Sequence, residues 1–496
     1  MIQFLLNQDL IELEAVAPSL SILDWLRTNK GKTGTKEGCA SGDCGACTVL
    51  IGENKQGNWQ YKSINACLML VGNLHGKHLV TIEAVSQNAF PEFDDLHPVQ
   101  KAMVECHGSQ CGFCTPGIIM SMLALYLNHT SYPGKSTAIH ALGGNLCRCT
   151  GYNPILKAVE KCFDYPRANF NWQAELTLLT TKLAENAIPN LTNQNCHFYL
   201  PQNLADLVKL KAQMPTAQLV AGATDLSLAF TQQLKTPQQL ISVSQCQPLI
   251  GYQQNQDGMF IGAATPYAEF IKQFCQIYPE STELFNRLGS TQIRNSGTLG
   301  GSIGNASPIG DPAPLLIALN AKIELASERG KRVIALEDYF IAYKTTQLKP
   351  DEVISGFYLP PRPLNLTLAC HKISKRIEDD ISTVCLVMAL TTDNQHIITA
   401  NIAFGGMTAI PARAKQTEAA LIKQPTELAT FKAAAKQISQ DFSPLSDVRA
   451  SAEYRVKVSE NLLIRSWHQT FGQIEIQKNH SDNIQLPATR VQHAAL

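Results

Sequence analysis

The chain is 496 residues long, 45% hydrophobic and 17% charged, and its 41 Lys and Arg balance 41 Asp and Glu to a formal net charge of zero. A chain of that length is expected to hold about three domains, and the balanced charge offers no electrostatic footprint for a nucleic acid or an anionic membrane. The first nine residues, Met1-Ile2-Gln3-Phe4-Leu5-Leu6-Asn7-Gln8-Asp9, carry no basic segment and no small-residue cleavage site, and the longest apolar stretch, residues 116–127, is too short to cross a bilayer, so the reading is a soluble, cytoplasmic protein.

Residues 1–16 alternate in hydrophobicity. Ile2, Phe4 and Leu6 share one face; after a polar turn at Asn7-Gln8-Asp9, Ile11, Leu13 and Ala15 oppose Glu12 and Glu14, which predicts a β-hairpin. Residues 21–29 fit a short amphipathic helix with Leu23 and Leu26 inward, and strands are expected at Thr48-Val49-Leu50-Ile51 and Leu79-Val80-Thr81-Ile82. Between helix and strands runs Gly38-Cys39-Ala40-Ser41-Gly42-Asp43-Cys44-Gly45-Ala46-Cys47, with Cys67 downstream. Cys-x4-Cys-x2-Cys followed by a distant fourth cysteine is the plant-type ferredoxin spacing for a 2Fe-2S cluster. Two irons need two thiolates each, and the glycines let the loop wrap an inorganic core with its N–H groups turned toward sulfur. The expectation is a β-grasp, ferredoxin-like domain over residues 1–85 with Cys39, Cys44, Cys47 and Cys67 as ligands.

From Pro98 the apolar period becomes helical. Thr115-Pro116 and Asn153-Pro154 each read as a cap followed by proline at the first helical position, opening helices that run to Asn128 and to about Phe163. Cys111 and Cys114 precede the first of these helices, and Cys147 and Cys149 precede the second. Two helix N-termini would thus face the thiolates and favour negative charge there. A four-helix domain over residues 86–165 with a second 2Fe-2S cluster is expected; on spacing alone a structural zinc site stays open as the alternative. A disulfide framework is the poorest reading, since fifteen cysteines is an odd number and the chain shows no secretory signal.

Residues 166–194 read as a linker with one helix at 174–186. Beyond it, strands at 218–221, 260–264 and 322–325 stand among helices. A final α/β unit is expected over residues 376–475, with a strand at 400–406 and helices after Ala412, and the polar tail 476–496 is expected to be disordered. Two Gly-rich segments stand out, Leu219-Val220-Ala221-Gly222-Ala223-Thr224-Asp225-Leu226 and Gly297-Thr298-Leu299-Gly300-Gly301-Ser302-Ile303-Gly304-Asn305-Ala306-Ser307-Pro308. Neither is a Gly-x-Gly-x-x-Gly after a strand, so neither is a Rossmann fingerprint. Each offers bare backbone N–H groups and small hydroxyls, the chemistry of a diphosphate cradle, with an ordinary turn as the other reading. The run Lys375-Arg376-Ile377-Glu378-Asp379-Asp380 reads as a solvated charged loop or as a functional one. Cys106, Cys162, Cys196, Cys246, Cys275, Cys370 and Cys385 read as buried thiols, and His75, His78, His97 and His107 have no ligand partners at metal-binding spacing.

The string Gln110-Cys111-Gly112-Phe113-Cys114-Thr115-Pro116-Gly117, with Gly144-Asn145-Leu146-Cys147-Arg148-Cys149-Thr150-Gly151-Tyr152, resembles the signature of the molybdenum hydroxylases, and within them of the xanthine dehydrogenase family. Gln292-Ile293-Arg294-Asn295-Ser296-Gly297-Thr298-Leu299-Gly300-Gly301 resembles that family's FAD domain, and Gly405-Gly406 with Pro411-Ala412-Arg413-Ala414 resembles its C-terminal flavoprotein unit. The likeness covers nearly the whole chain in the family's own order. It implies an α+β multidomain protein in which the two cluster domains are followed by an FAD-binding domain of the vanillyl-alcohol-oxidase type over residues 195–375 and a CO-dehydrogenase-flavoprotein-like unit at the C-terminus. By the resemblance, Leu219, Val220, Ala221, Gly222, Ala223, Thr224, Asp225 and Leu226 hold the FAD diphosphate together with Thr298, Leu299, Gly300, Gly301 and Ser302. Asn305, Ser307 and Asp311 would lie nearby, Lys372 would contact the flavin, and Leu288 and Ile354 would be apolar flavin contacts or plain core. The charged run would lie near the flavin and influence nicotinamide access.

The same resemblance implies the small subunit of an NAD-dependent xanthine dehydrogenase. The family's molybdopterin domain is not represented, so a molybdopterin-binding large subunit is the expected partner, in a heterotetramer or larger assembly. Purine hydroxylation would occur on that partner, and electrons would pass singly through the two 2Fe-2S clusters to FAD and on to NAD+. The second cluster would lie nearer molybdenum and the ferredoxin-like one nearer FAD. Gln110 and Cys149 would contact the partner's pterin, and no catalytic residue for purine chemistry is expected in this chain. Two rival readings are the small subunit of a molybdenum hydroxylase for aldehydes, nicotinate or an aromatic thioester, and a free-standing NADH:acceptor reductase.

Overall fold

In the computed structural model, residues 1–86, 92–168, 170, 172–183 and 188–472 are described. They divide into two compact units, one made of Met1–Ile250, Pro266–Ala268 and Gly289–Thr298, the other of Gly251–Thr265, Glu269–Leu288 and the described residues from Leu299 onward.

The first unit opens with the expected hairpin, β1 (Ile2–Leu6) and β2 (Asp9–Leu13), paired antiparallel. The helical turn that follows starts at Ile22, where the Ser21 hydroxyl caps the Asp24 N–H at 3.0 Å, and passes into a wider π turn over Trp25–Asn29. With β3 (Thr48–Lys55), β4 (Asn58–Asn65) and β5 (His78–Val80), the hairpin builds a five-stranded sheet in the order β2-β1-β5-β3-β4. Alternation along the strands sorts side chains to two apolar faces. Ile2, Phe4, Leu6, Val49 and Ile51 enter one core with Trp25 and Leu70, while Leu5, Leu50 and Val80 enter another with Ile119, Met122 and Trp172. Each such fully buried side chain contributes roughly 1.5–3 kcal/mol.

Four helices follow at Pro98–Glu105, Thr115–Asn128, Lys135–Leu142 and Asn153–Lys161. Their capping differs from the sequence reading. The residues at the N-caps are Cys114 and Tyr152, neither with a side-chain cap bond, and the Thr115 hydroxyl pairs with that of Ser109 at 2.7 Å. The side-chain cap in this region is His97, whose ring nitrogen accepts from the Val99 N–H at 3.3 Å.

The stretch expected as a linker is packed instead. Its helix, Gln173–Lys182, buries Leu176 and Leu179, which join Trp172 in the second core; residues 184–187 lie outside the described ones. Apolar side chains at helical spacing against a sheet face explain why this segment is held. Next, β6 (Asn190–Asn193), β7 (Cys196–Tyr199), β8 (Gln218–Val220) and β9 (Gln239–Ser242) form a sheet ordered β6-β7-β9-β8, with β7, β9 and β8 parallel. Phe198 and Leu240 from this sheet enter the same core as Phe4.

In the second unit, β10 (Tyr252–Asn255), β11 (Gly258–Gly262), β12 (Lys322–Ser327), β13 (Gly330–Ala335) and a later strand, β16 (Val353–Leu359), form an antiparallel sheet ordered β10-β11-β16-β12-β13. The short pair β14 (Phe340–Ala342) and β15 (Thr345–Thr346) stands apart from it. The last sheet runs β17 (Leu366–Ile373), β18 (Val384–Asp393), β19 (His396–Gly405) and β20 (Ala412–Arg413) in that order, and the helix Ala452–Thr470 packs Leu463 and Trp467 into its core. The C-terminal α/β unit therefore begins earlier than the expected residue 376. β17 pairs with β18 from Leu366 opposite Thr391 to Ile373 opposite Val384, so Lys372 belongs to this sheet. The expected disordered tail, residues 476–496, lies outside the described residues. Among the described residues no helix is long and apolar enough to cross a membrane.

Candidate functional site

Three residues of the first cysteine loop, Ala40 (φ 53), Gly42 (φ 84) and Gly45 (φ 66), adopt left-handed backbone conformations that curl the loop. The thiols stand in two pairs, Cys39 with Cys44 and Cys47 with Cys67. Within each pair one thiol is lowered and the other raised. The hydrogen bond from Cys44 brings Cys39 down to about 4 and leaves Cys44 pushed up, and the bond from Cys67 lowers Cys47 while raising Cys67. Two thiolates that close repel each other unless a cation lies between them. The Ser41 N–H also points at Cys39 Sγ, 3.4 Å away. From the same unit, the Thr231 hydroxyl donates to the Ala40 carbonyl at 2.8 Å and the Gln232 amide to the Cys39 carbonyl at 3.2 Å, holding the loop from behind.

The second set repeats this arrangement. Cys149 Sγ lies 3.5 Å from Cys111 Sγ, and Cys114 faces Cys147. Cys111 is lowered, first by the Phe113 N–H and then by Cys149, whereas Cys149 is raised by its bond to Cys111. Burial first and then Cys147 push Cys114 up to about 12. Burial also pushes Cys147 up, but bonds from Thr150, whose hydroxyl lies 3.2 Å from the sulfur, outweigh it and leave that thiol lowered. Cys111, Cys149 and Gln110 are exposed, and Cys147 is buried. Among the described residues no three His, Cys, Asp or Glu side chains converge on a single ion-sized point. Thiols in two pairs suit a two-iron core better than a tetrahedral zinc, for which four ligands surround one centre.

The flavin candidates fall into two groups, one in each unit. In the first, the loop that follows β8 turns through Ala223 at φ 60. A methyl on Gly222 would overlap the Ser296 carbonyl oxygen, so only glycine lets this loop lie against residues 296–297. The loop is pinned by Asn73, whose amide donates to the Ala221 carbonyl at 2.9 Å and whose oxygen accepts from Ser242 at 2.7 Å. Asp225 is exposed, and Leu219, Ala221, Thr224 and Leu226 are half-buried. Bare N–H groups, a hydroxyl and a left-handed turn at the mouth of a parallel sheet fit a diphosphate.

In the second unit, Leu299, Gly300, Gly301, Ser302 and Asn305 lie on the helix Leu299–Asn305. A methyl on Gly300 would come within 2.5 Å of the Ala263 carbonyl, and one on Gly304 within 3.3 Å of Ile354, which places Ile354 beneath this helix. Asp311 and Lys372, far apart in sequence, form a buried ion pair at 2.5 Å, and the Ser382 hydroxyl donates to the other carboxylate oxygen of Asp311. Arg287, next to Leu288, donates to the Lys372 carbonyl at 2.9 Å, to the Ser374 hydroxyl at 2.7 Å and to the Ile377 carbonyl at 3.1 Å. The charged run is tied to itself as well: the Asp380 carboxylate accepts from the Arg376 and Ile381 N–H groups at 2.8 and 2.9 Å. Asn73, Ser382 and Arg287 carry no local motif, and the contacts described above reach partners tens of residues away.

All fifteen cysteines have free thiols. Cys162, Cys246 and Cys385 are buried, but Cys106, Cys196, Cys275 and Cys370 are only partly so, which corrects the reading of all seven as buried. The reason is position: Cys106 ends a helix and Cys196 starts the short strand β7.

Four family models match this chain: a 2Fe-2S iron-sulfur cluster binding domain at residues 4–72, a 2Fe-2S binding domain at 81–160, the FAD binding domain in molybdopterin dehydrogenase at 193–362, and the CO dehydrogenase flavoprotein C-terminal domain at 369–470. The xanthine dehydrogenase of Drosophila pseudoobscura pseudoobscura is 31% identical over 471 residues, covering 83% of this chain and 34% of its own length. That of Emericella nidulans is 28% identical over 546 residues, covering 97% of this chain and 39% of its own. The chain thus spans about a third of the length of the curated relatives it matches. A carbon monoxide dehydrogenase structure from Hydrogenophaga pseudoflava, lacking the Mo-pyranopterin moiety, is similar in fold at a TM-score of 0.53 and 24% identity, over 56% of this chain and 97% of that one. Domain order and relatives together place the chain among the iron-sulfur and FAD chains of the molybdenum hydroxylases, a class of oxidoreductases. It carries two 2Fe-2S-binding domains and one FAD-binding domain, and the curated relatives named above are xanthine dehydrogenases.

Proposed function

We propose that this chain is the electron-transferring subunit of an NAD-dependent xanthine dehydrogenase. Its partner is a molybdopterin-bearing large subunit, in a cytoplasmic heterotetramer or larger assembly, on which hypoxanthine or xanthine is hydroxylated. The observation that carries the relay is the pairing of thiols on two loops that hydrogen bonds join directly, among them the Leu146 N–H to the Cys44 carbonyl at 2.9 Å and the Asn145 amide to the Gly45 carbonyl at 3.0 Å. The purine and NAD+ assignments lean on the likeness to xanthine dehydrogenases over 83% of the chain.

In this reading Cys39, Cys44, Cys47 and Cys67 hold one cluster, and Cys111, Cys114, Cys147 and Cys149 the other. FAD takes residues 219–226 and 298–302 with Leu288, Asn305, Ser307, Asp311, Ile354 and Lys372. The domains then run over residues 1–85, 86–165, 195 to about 365 and from there to 475, with the last boundary moved to precede β17. When bound, these groups accept electrons one at a time at iron and exchange pairs at the flavin. The chain's own residues set the conditions for that traffic. N–H groups aimed at sulfur stabilise the anionic thiolates, and the helix N-termini after Cys114 and Cys149 add partial positive charge on the side of the second set. Exposure of Gln110, Cys111 and Cys149 leaves that side open to the partner's pterin. The buried ion pair with Asp311 fixes the Lys372 ammonium on β17, and in this reading that is where it would meet the flavin.

The test is purification with whatever chain accompanies it. A molybdenum-bearing partner and hypoxanthine-dependent NADH formation by the complex are expected. The isolated chain is expected to oxidise NADH with artificial acceptors and to leave purines untouched. Purine oxidation by the isolated chain would overturn the division of labour, and a complex active on aldehydes alone would retain the relay and reject the purine assignment.

A further inference from the structure

We infer that Gln292 is the positioning residue that fixes the separation of the two cysteine loops, an inference that rests on the two-cluster reading above. Gln292 is 1% exposed, on the helix Thr291–Ser296. Its amide nitrogen reaches three side chains: Asn145 Oδ1 at 3.0 Å, Ser121 Oγ at 3.2 Å and Thr48 Oγ1 at 3.3 Å. Each belongs to a different piece of the relay. Thr48 lies just past Cys47, Ser121 lies on the helix that follows Cys114, and Asn145 lies two residues before Cys147.

The other bonds close the set on itself. Ser121 donates to Asn145 Oδ1 at 2.6 Å, Asn145 donates to the Gly45 carbonyl at 3.0 Å, and Thr48 donates to that same carbonyl at 2.6 Å. Asn145 thus ties the backbone between Cys44 and Cys47 to the segment that delivers Cys147, and the Gln292 amide holds Asn145, Ser121 and Thr48 in one arrangement around that tie. A polar network in a low-dielectric interior specifies one arrangement, because each partner lost leaves another polar atom stranded; every donor contact of Gln292 runs through its Nε2, and its buried Oε1 has no hydrogen-bond partner.

Close packing around the network points the same way. A methyl on Gly144 would overlap Ser290 Cβ and Gln292 Oε1, and one on Gly117 would overlap the Gly45 carbonyl. A methyl on Gly45 would likewise overlap the Gly144 carbonyl, so the backbones at residues 45, 117 and 144 meet with no side chain between them, and the Cys44 carbonyl receives the Leu146 N–H across that seam. Transfer between clusters moves one electron, oxidising one centre as it reduces the other, and depends on the gap; Gln292 touches neither ligand set and acts only by holding the gap.

The experiment uses the full-length chain with its co-purifying partner, reduced with dithionite and examined by low-temperature electron paramagnetic resonance. In the unaltered protein two distinct 2Fe-2S signals that split one another are expected. Gln292→Met, of similar size but without donors, is expected to keep both signals and the iron content and to lose the splitting. Gly144→Ala, whose methyl would push directly against Gln292 Oε1 and Ser290 Cβ, is expected to do the same. Unchanged splitting with both signals present in Gln292→Met overturns the inference. Loss of either signal in both variants also overturns it, since Gln292 would then be a folding determinant. Fewer than two signals in the unaltered protein would instead refute the cluster reading beneath it.

Discussion

Lys372→Met tests whether the buried ion pair with Asp311 is as consequential as its geometry implies. The two side chains are 3% and 4% exposed and 2.5 Å apart. Methionine fills nearly the volume of the lysine stem, so the cavity contribution is small. What remains is the Asp311 carboxylate, still bonded by Ser382 but with its countercharge gone. Removing one member of a buried pair costs about 3–5 kcal/mol, and in a unit of this size each kcal/mol lowers the midpoint by about 2–4 °C, so a fall on the order of 6–20 °C is expected. The double variant Lys372→Met with Asp311→Asn removes both charges and should recover most of the loss, which appears as a large coupling energy in the double-mutant cycle. The assay is thermal unfolding of the full chain followed by circular dichroism and flavin release together. A single variant that unfolds within about 2 °C of the parent, or a double variant whose loss is the sum of the two single ones, would refute the reasoning.

Gly222→Ala should lower flavin per chain while iron stays near normal, because the added methyl collides with backbone at Ser296 and not with a movable side chain; the ratio of flavin to iron in the purified protein checks it. Cys44→Ser should remove one of two 2Fe-2S signals and about half of the iron, since the ligand sets are separate even though their loops touch. His75, His78 and His97 are each lowered from 6.5 to about 4, chiefly by burial. Between those values the unfolded chain binds protons that the folded one does not, so stability falls as pH drops from about 6.5 toward 4, with a slope of up to about 1.4 kcal/mol per pH unit for each histidine. Urea unfolding at several pH values should show this slope, and His78→Gln should make it shallower; a pH-independent midpoint would contradict the burial of these rings.

The features legible in the sequence were those whose physics is local. Period-two alternation placed β1 and β2, and three cysteines in one loop announced a cluster because ligand spacing is set by the size of the inorganic core. The π turn at Trp25, the role of His97 as a cap and the packing of the presumed linker were not legible, because each depends on what lies opposite. Residues 166–194 contain prolines and asparagines that look like punctuation, yet Leu176 and Leu179 meet a sheet face whose apolar character is visible only once β1 and β5 are paired. The boundary before β17 was misread for a related reason. The charged run at 375–380 looks like an interdomain joint, whereas it is the connection between two strands that pair with each other.

The same contrast governs the flavin region. Residues 289–298 fall inside the stretch matched by the FAD-binding model, yet they are part of the first compact unit. Thr291 donates to the His140 carbonyl at 2.7 Å and Asn295 to the Ser63 carbonyl at 2.8 Å, on either side of the Gln292 network. Residues 190–242 likewise contribute Phe198 and Leu240 to the core that Phe4 and Leu70 share. Divisions drawn from motifs follow the order in which ligands are encountered along the chain, while units of stability follow which apolar and polar groups need covering. In this protein the two differ, because a chain segment named for the flavin supplies the side chains that brace the cysteine loops.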